Sequence, residues 1–136
     1  MTRIALSITA ALWAGTALAQ DVSGKLTLYT SQPNADAQAT VDAFMAAYPD
    51  VEVEWFRDGT TKVMAKLRAE FEAGQPQPDV LLIADMVTME GLEAEGRLMP
   101  YLEADISAYD PAIMDDEGHY FSTKLITTGI VYNTAA

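Results

Sequence analysis

The chain has 136 residues, a formal net charge of −12 and no cysteine. The acidic balance disfavours nucleic acid and anionic membrane surfaces as partners, because both carry charge of the same sign. The lack of cysteine excludes disulfides, thiolate metal sites and thiol catalysis within this sequence. The length is enough for one domain with a hydrophobic core, and too short for two complete ones.

The N-terminus has the order of a secretory signal peptide. Arg3 is followed by an apolar run over residues 4–14 and by the small-residue tripeptide at 17–19. This order predicts export and cleavage after Ala19, so that residues 1–19 are the signal peptide. The apolar run is shorter than the roughly 20 residues that cross a bilayer, which disfavours a transmembrane anchor.

The next residues predict a strand, a helix and a second strand. Residues 25–30 are rich in β-forming side chains and end at turn residues, as a strand does. Residues 36–48 carry apolar side chains at helical spacing, and Asn34 is the predicted N-cap. Residues 51–56 alternate apolar and acidic side chains, which is typical of a strand near a sheet edge.

A second helix, a third strand and a third helix are predicted to follow. Residues 62–73 have a helical apolar stripe, and Gly74 is placed to end that helix. The continuous apolar run at 80–84 is typical of a parallel strand covered on both faces, and is the predicted centre of the sheet. Asp85 is the predicted N-cap of a helix that runs through Glu95.

The remaining sequence is predicted to be less regular. Gly96 supplies a left-handed exit from the third helix, and residues 98–118 are predicted to be irregular surface chain. Residues 119–122 and 126–133 are interpreted as two further strands. The alternation of strands and helices predicts a doubly wound, mainly parallel α/β sheet with right-handed crossovers.

Candidate ligand-binding residues follow the first three predicted strands. Ligands of open α/β sheets bind outside the carboxyl ends of the strands. Helix starts there have free backbone N–H groups and a positive dipole end, which favour anionic or oxygen-bearing ligands. The same residue types also cap helices without any ligand. The side chains in question are Thr30, Ser31, Gln32, Thr60, Thr61 and Asp85.

Motifs for nucleotides, metals and catalysis are incomplete. Neither a full phosphate-loop pattern nor a dinucleotide fingerprint is present. His119 is the only histidine, so a histidine-pair metal site cannot form, and neither a metal ligand nor a cofactor is predicted. The acidic run at 115–117 fits a solvated loop as well as a cation site.

Two alternatives to ligand capture stay open from the residues alone. Ser31 or Ser122 could combine with His119 and Asp85 in a small exported hydrolase, although no G-x-S-x-G elbow supports that arrangement. A stand-alone interaction domain is the other alternative.

An ordered set of segments carries a family resemblance. These are the signal peptide and residues 26–31, 56–61, 79–84 and 127–133. Together they resemble type II periplasmic solute-binding proteins of ABC importers, above all the branch that binds ferric iron and 2-aminoethylphosphonate. The resemblance implies two α/β lobes that close on a solute, so that residues 20–136 form an incomplete N-terminal lobe and the second lobe is missing.

The resemblance also implies a function and a set of contacts. It implies a non-catalytic, monomeric periplasmic protein that binds a ferric iron complex or a phosphonate-like oxyanion and delivers it to an ABC permease in the inner membrane. Many ferric-binding relatives have a histidine shortly after the first-strand tyrosine, where this chain has Ser31, Gln32 and Pro33. The ligand-binding residues that it implies are Thr30, Ser31, Gln32, Gly59, Thr60, Thr61, Asp85, Thr127, Thr128 and Gly129.

Overall fold

Strands and helices alternate along the chain, as the sequence predicts. The computed structural model describes residues 22–107, 109–126 and 129–134. The elements are β1 (Gly24–Thr30), α1 (Asn34–Ala47), β2 (Val51–Arg57), α2 (Thr60–Glu72), β3 (Val80–Leu82) and α3 (Met86–Ala94), followed by a short 3₁₀ helix (Pro111–Ile113). Within the described ranges, no helix combines the length and the apolar character needed to cross a membrane.

The three strands form a parallel sheet in the order β2-β1-β3. β1 pairs with β2 along its whole length and with β3 over its last three residues. The strands that follow β1 therefore lie on opposite sides of it, and the direction of winding switches at β1. This mixed α/β architecture with a parallel sheet confirms the predicted fold class.

The predicted centre of the sheet is wrong. Within the run at 80–84 only three residues form a strand, this strand pairs with β1 alone among the described residues, and Val80 is 44% exposed. The run is apolar because Leu81 and Ile83 pack against a core formed with α2 and α3. The central strand is β1, which is buried at its carboxyl end.

Buried side chains join the helices to the sheet. α1 packs against β2 and α2 against β1. The main cluster between α2 and α3 has Met64, Leu67 and Leu92 at its centre, with Phe71, Leu81, Ile83, Met89 and Leu98 packed around them. This cluster packs α2 and α3 against each other and against β3.

Helix boundaries depend on local residues and are mostly as predicted. Gly74 and Gly96 have φ of +69° and +66° and end α2 and α3 in the left-handed conformation. The predicted N-cap of α1 is wrong. Pro33, with φ of −53° and an extended ψ, occupies the cap position, and Asn34 is already helical and makes no capping hydrogen bond.

The two strands predicted near the C-terminus do not form within the described residues. Residues 119–122 contribute one isolated antiparallel bridge, between Met114 and Phe121. No strand is assigned at residue 126 or at 129–133, where Ile130 and Val131 are 92% and 99% exposed. A β-forming sequence becomes a strand only where another strand satisfies its backbone groups, and the described chain places none beside these residues.

Candidate functional site

The loops after the three strands form one continuous rim. Because the strands are parallel, all three loops leave the same edge of the sheet. The Ser31 N–H donates to the Leu82 carbonyl at 3.1 Å, and the Asp58 N–H donates to the Thr30 carbonyl at 3.3 Å. The loop after β1 is thus bound to both of its neighbours, at the switch of winding direction where open α/β sheets bind ligands.

Thr30 and Ser31 hold this rim together with their side chains. The hydroxyl of Thr30 is fully buried, donates to the Leu82 carbonyl at 2.8 Å and accepts from the Gln32 N–H at 3.1 Å. The hydroxyl of Ser31 accepts from the Ala84 N–H at 3.1 Å. Both hydroxyls, which are candidate ligand groups in the sequence, therefore already have partners within the protein.

Gln32 combines a structural contact with an unsatisfied polar atom. Its backbone carbonyl accepts from Arg57 Nε at 2.7 Å. The residue is 9% exposed, and its Oε1 atom is buried without a hydrogen-bond partner among the described residues. Leaving a buried acceptor unsatisfied costs about 1–3 kcal/mol, so this carbonyl oxygen favours a nearby hydrogen-bond donor.

α2 begins at the rim without a side-chain cap. Gly59 is the N-cap residue, and its N–H donates to Asp58 Oδ1 at 2.7 Å. This hydrogen bond lowers the pKa of Asp58, and Lys62, at 3.5 Å, adds to the effect. Thr60 and Thr61 occupy the first turn of the helix, where backbone N–H groups lack intrahelical acceptors.

α3 begins with the cap that the sequence predicts. Asp85 accepts from the Val87 N–H at 3.1 Å through Oδ1 and from the Thr88 hydroxyl at 2.5 Å through Oδ2. The carboxylate therefore satisfies one backbone donor and orients the Thr88 side chain.

A cleft of about 510 Å³ opens between the starts of α2 and α3. It is wide open to solvent, as one wall of a larger site would be. The lining residues are Thr60, Thr61, Met64, Ala65, Arg68, Asp85, Val87, Thr88 and Gly91. Of the residues singled out from the sequence, Thr60, Thr61 and Asp85 are brought together here.

The other candidate residues lie elsewhere. Thr30, Ser31, Gln32 and Gly59 form the adjoining rim and do not line this cleft. Gly129 is exposed and does not line it either. Residues 127–128 lie outside the described residues.

Arg68 and Thr88 line the cleft and are absent from the predicted set. Arg68 Nη1 lies 3.2 Å and 3.4 Å from the two carboxylate oxygens of Glu95. The signal for Arg68 is its position seven residues after Thr61, two helical turns along the same face. Thr88 lies three residues after Asp85, the N-cap of α3, which is about one helical turn along the same face.

His119 contacts carboxylates other than Asp85, its partner in the hydrolase alternative. Its Nδ1 atom lies 3.0 Å from Asp115 Oδ2 and 3.5 Å from Glu93 Oε1. Asp85 is bonded within α3, and the Ser31 hydroxyl is bonded to the backbone of Ala84. The described residues therefore do not assemble Ser31, His119 and Asp85 into a hydrolytic site.

The sequence match that decides the family spans this whole region. The family model for bacterial extracellular solute-binding proteins matches residues 29–136, from within β1 through all three rim loops. The chain belongs to this family. This solute-binding protein therefore serves ABC import, with a small-molecule solute and an ABC permease as its partners. No curated protein matches the chain at a significant level.

Proposed function

We propose that this solute-binding protein captures an oxyanion-bearing solute, either a phosphonate or an anionic complex of ferric iron, in the cleft between α2 and α3. The observation that carries the proposal is the lining of this cleft by Thr60, Thr61 and Arg68 beside the start of α2, which has no side-chain cap. Hydroxyl donors, a guanidinium and a positive helix end are groups that favour a phosphonate or carboxylate oxygen.

The ion pair between Arg68 and Glu95 leaves the Arg68 guanidinium available to a solute. Its partner Glu95 is on the surface, with side-chain exposures of 55% and 42% for the two residues. Exposed ion pairs of this kind contribute about 0–1 kcal/mol, so exchange of Glu95 for a solute oxyanion costs little. A guanidinium can then bind two oxyanion oxygens at once.

The finer features of the family resemblance belong to the same proposal. Residues 1–19 are a cleaved signal peptide, the protein acts in the periplasm as a monomer, and residues 20–136 belong to the first lobe of a type II fold. A second lobe supplies the opposite wall, and the solute favours the closed form that the permease recognises. This wall by itself binds the solute weakly, because it makes only part of the contacts. The protein binds its solute and catalyses no reaction.

The test is an NMR titration of the ¹⁵N-labelled 136-residue chain. We expect millimolar 2-aminoethylphosphonate to shift the backbone amide signals of Thr60, Thr61 and Thr88, and Fe(III)–citrate to broaden the same signals if it is the solute. Arg68→Gln is expected to weaken the response at least tenfold. Arg97→Gln, which removes the same charge from outside the cleft, serves as the matched control and is expected to change it little.

Two results would contradict the proposal. One is that neither solute perturbs the amides around the cleft. The other is that the Arg68 and Arg97 variants weaken binding equally, which would indicate unspecific attraction between charges. A response to only one of the two solutes would identify the solute class.

A further inference from the structure

A second cluster of polar side chains lies on the side of α3 that faces away from the cleft. Glu93 is on α3, whereas Glu117 and His119 are in the loop after the 3₁₀ helix. Each offers one ligand atom, and these atoms lie within 4.8 Å of one another. Gly91 lines the cleft, and residues two apart on a helix point in nearly opposite directions. The cluster is therefore separate from the proposed solute site.

The charge of this cluster is unbalanced. Its two carboxylates belong to Glu93 and Glu117, and the side chains of Glu93 and His119 are only 27% and 17% exposed. Among the ion pairs of the described residues, none joins a lysine or arginine to any of these carboxylates. Partly buried carboxylates without a counter-charge are unfavourable, and a bound cation removes this cost.

Asp115 orients the imidazole for coordination. Its Oδ2 atom accepts from the His119 backbone N–H at 2.8 Å and lies 3.0 Å from Nδ1 of the same residue. A carboxylate that holds one ring nitrogen fixes the orientation of the ring.

The donor set indicates the class of metal. We infer that Glu93, Glu117 and His119 bind a divalent first-row transition metal ion, Zn²⁺ in the first place, which fastens the loop at 115–119 to α3. One imidazole nitrogen with two carboxylate oxygens suits such ions, whereas Mg²⁺ and Ca²⁺ favour oxygen ligands only. In a tetrahedral Zn²⁺ site the ligand atoms lie about 3.3–3.6 Å apart, so side-chain rotations that bring the three atoms closer together close the site. Glu117, which is exposed, is free to make them.

The test is calorimetric titration of the metal-free 136-residue chain with ZnCl₂ at neutral pH. We expect one saturable site in the unmodified chain, with affinity at least tenfold lower in His119→Ala and in Glu93→Gln. Glu90→Gln removes the same charge from the same helix outside the cluster, and is expected to leave the affinity unchanged. The titration contains no solute, so its result is independent of the proposed solute-binding function.

Stability measurements separate loss of the site from misfolding. Zn²⁺ is expected to raise the Tm of the unmodified chain and of Glu90→Gln, and to leave that of Glu93→Gln unchanged, because a metal stabilises only the state that binds it. The inference would be overturned by the absence of saturable binding. It would be overturned equally if Glu90→Gln and Glu93→Gln lowered the affinity alike.

Discussion

At the scale of single residues, a polar network stabilises the interface between β1 and α2. The buried hydroxyl of Tyr29 donates to Glu70 Oε1 at 2.7 Å, and Lys66 donates to the same oxygen while its Nζ lies 5.0 Å from the Tyr29 ring centroid. Burial raises the pKa of Tyr29. Burial also acts to raise the pKa of Glu70, but hydrogen bonds from Lys66 and Tyr29 outweigh it and lower that pKa.

This network predicts a pH-dependent stability. Because the pKa of Glu70 in the folded chain is below its ordinary value of 4.5, its ionisation stabilises the fold above that pH. The contribution is lost as the pH falls through the lowered folded-state pKa. We expect the difference in unfolding free energy between the unmodified chain and Glu70→Gln to be largest near neutral pH and to shrink below about pH 4.5.

Urea denaturation between pH 7 and about pH 3.5 measures this difference. The control is Glu72→Gln, an exposed carboxylate on the same helix, for which the difference should be small throughout. If the difference in unfolding free energy between the unmodified chain and Glu70→Gln does not change with pH, ionisation of Glu70 does not stabilise the fold.

At the scale of secondary structure elements, the start of α3 both stabilises the helix and forms part of the cleft wall. The sequence-predicted cap at Asp85 is confirmed, and the same carboxylate orients Thr88 in the cleft wall. The residues around the cleft that the sequence analysis misses, Arg68 and Thr88, depend on how two helices approach each other. A sequence read one helix at a time contains no information on that approach.

Two substitutions of Asp85 separate its roles. Asp85→Ala is expected to lower the unfolding free energy by about 0.5–2 kcal/mol, because the Val87 N–H loses its acceptor. Asp85→Asn retains a capping oxygen and is expected to keep most of that stability while it removes a negative charge from the cleft. Chemical denaturation of both variants checks the prediction, and equal losses in the two would show that the charge, and not the cap, stabilises α3.

At the scale of the whole molecule, the strand order determines where a solute can bind. The switch of winding direction at β1 brings the three loops to one rim and leaves β3 at the edge of the described sheet. The sequence analysis places the centre at β3 because continuous apolar runs mark central parallel strands. Here the run is apolar because of the helix core beside it.

Rates of amide hydrogen exchange should reflect the central position of β1 in the sheet. Amides of β1, which is paired on both sides, are expected to exchange most slowly, and amides of residues 129–134, which are exposed and form no strand, are expected to exchange fastest. Exchange followed by NMR measures both. Protection of residues 129–134 comparable to that of β1 would contradict the described sheet.

The sequence by itself determined the features that depend on near neighbours. These are the helical and β periodicities, the glycine ends of α2 and α3, the Asp85 cap, and the placement of Thr60, Thr61 and Asp85 after their strands. Only the tertiary structure decided which strand is central, that Arg68 completes the cleft, and that Glu93 meets His119. The physical reason is that each of these depends on the pairing of distant segments, which packing of the whole core selects and no local pattern encodes.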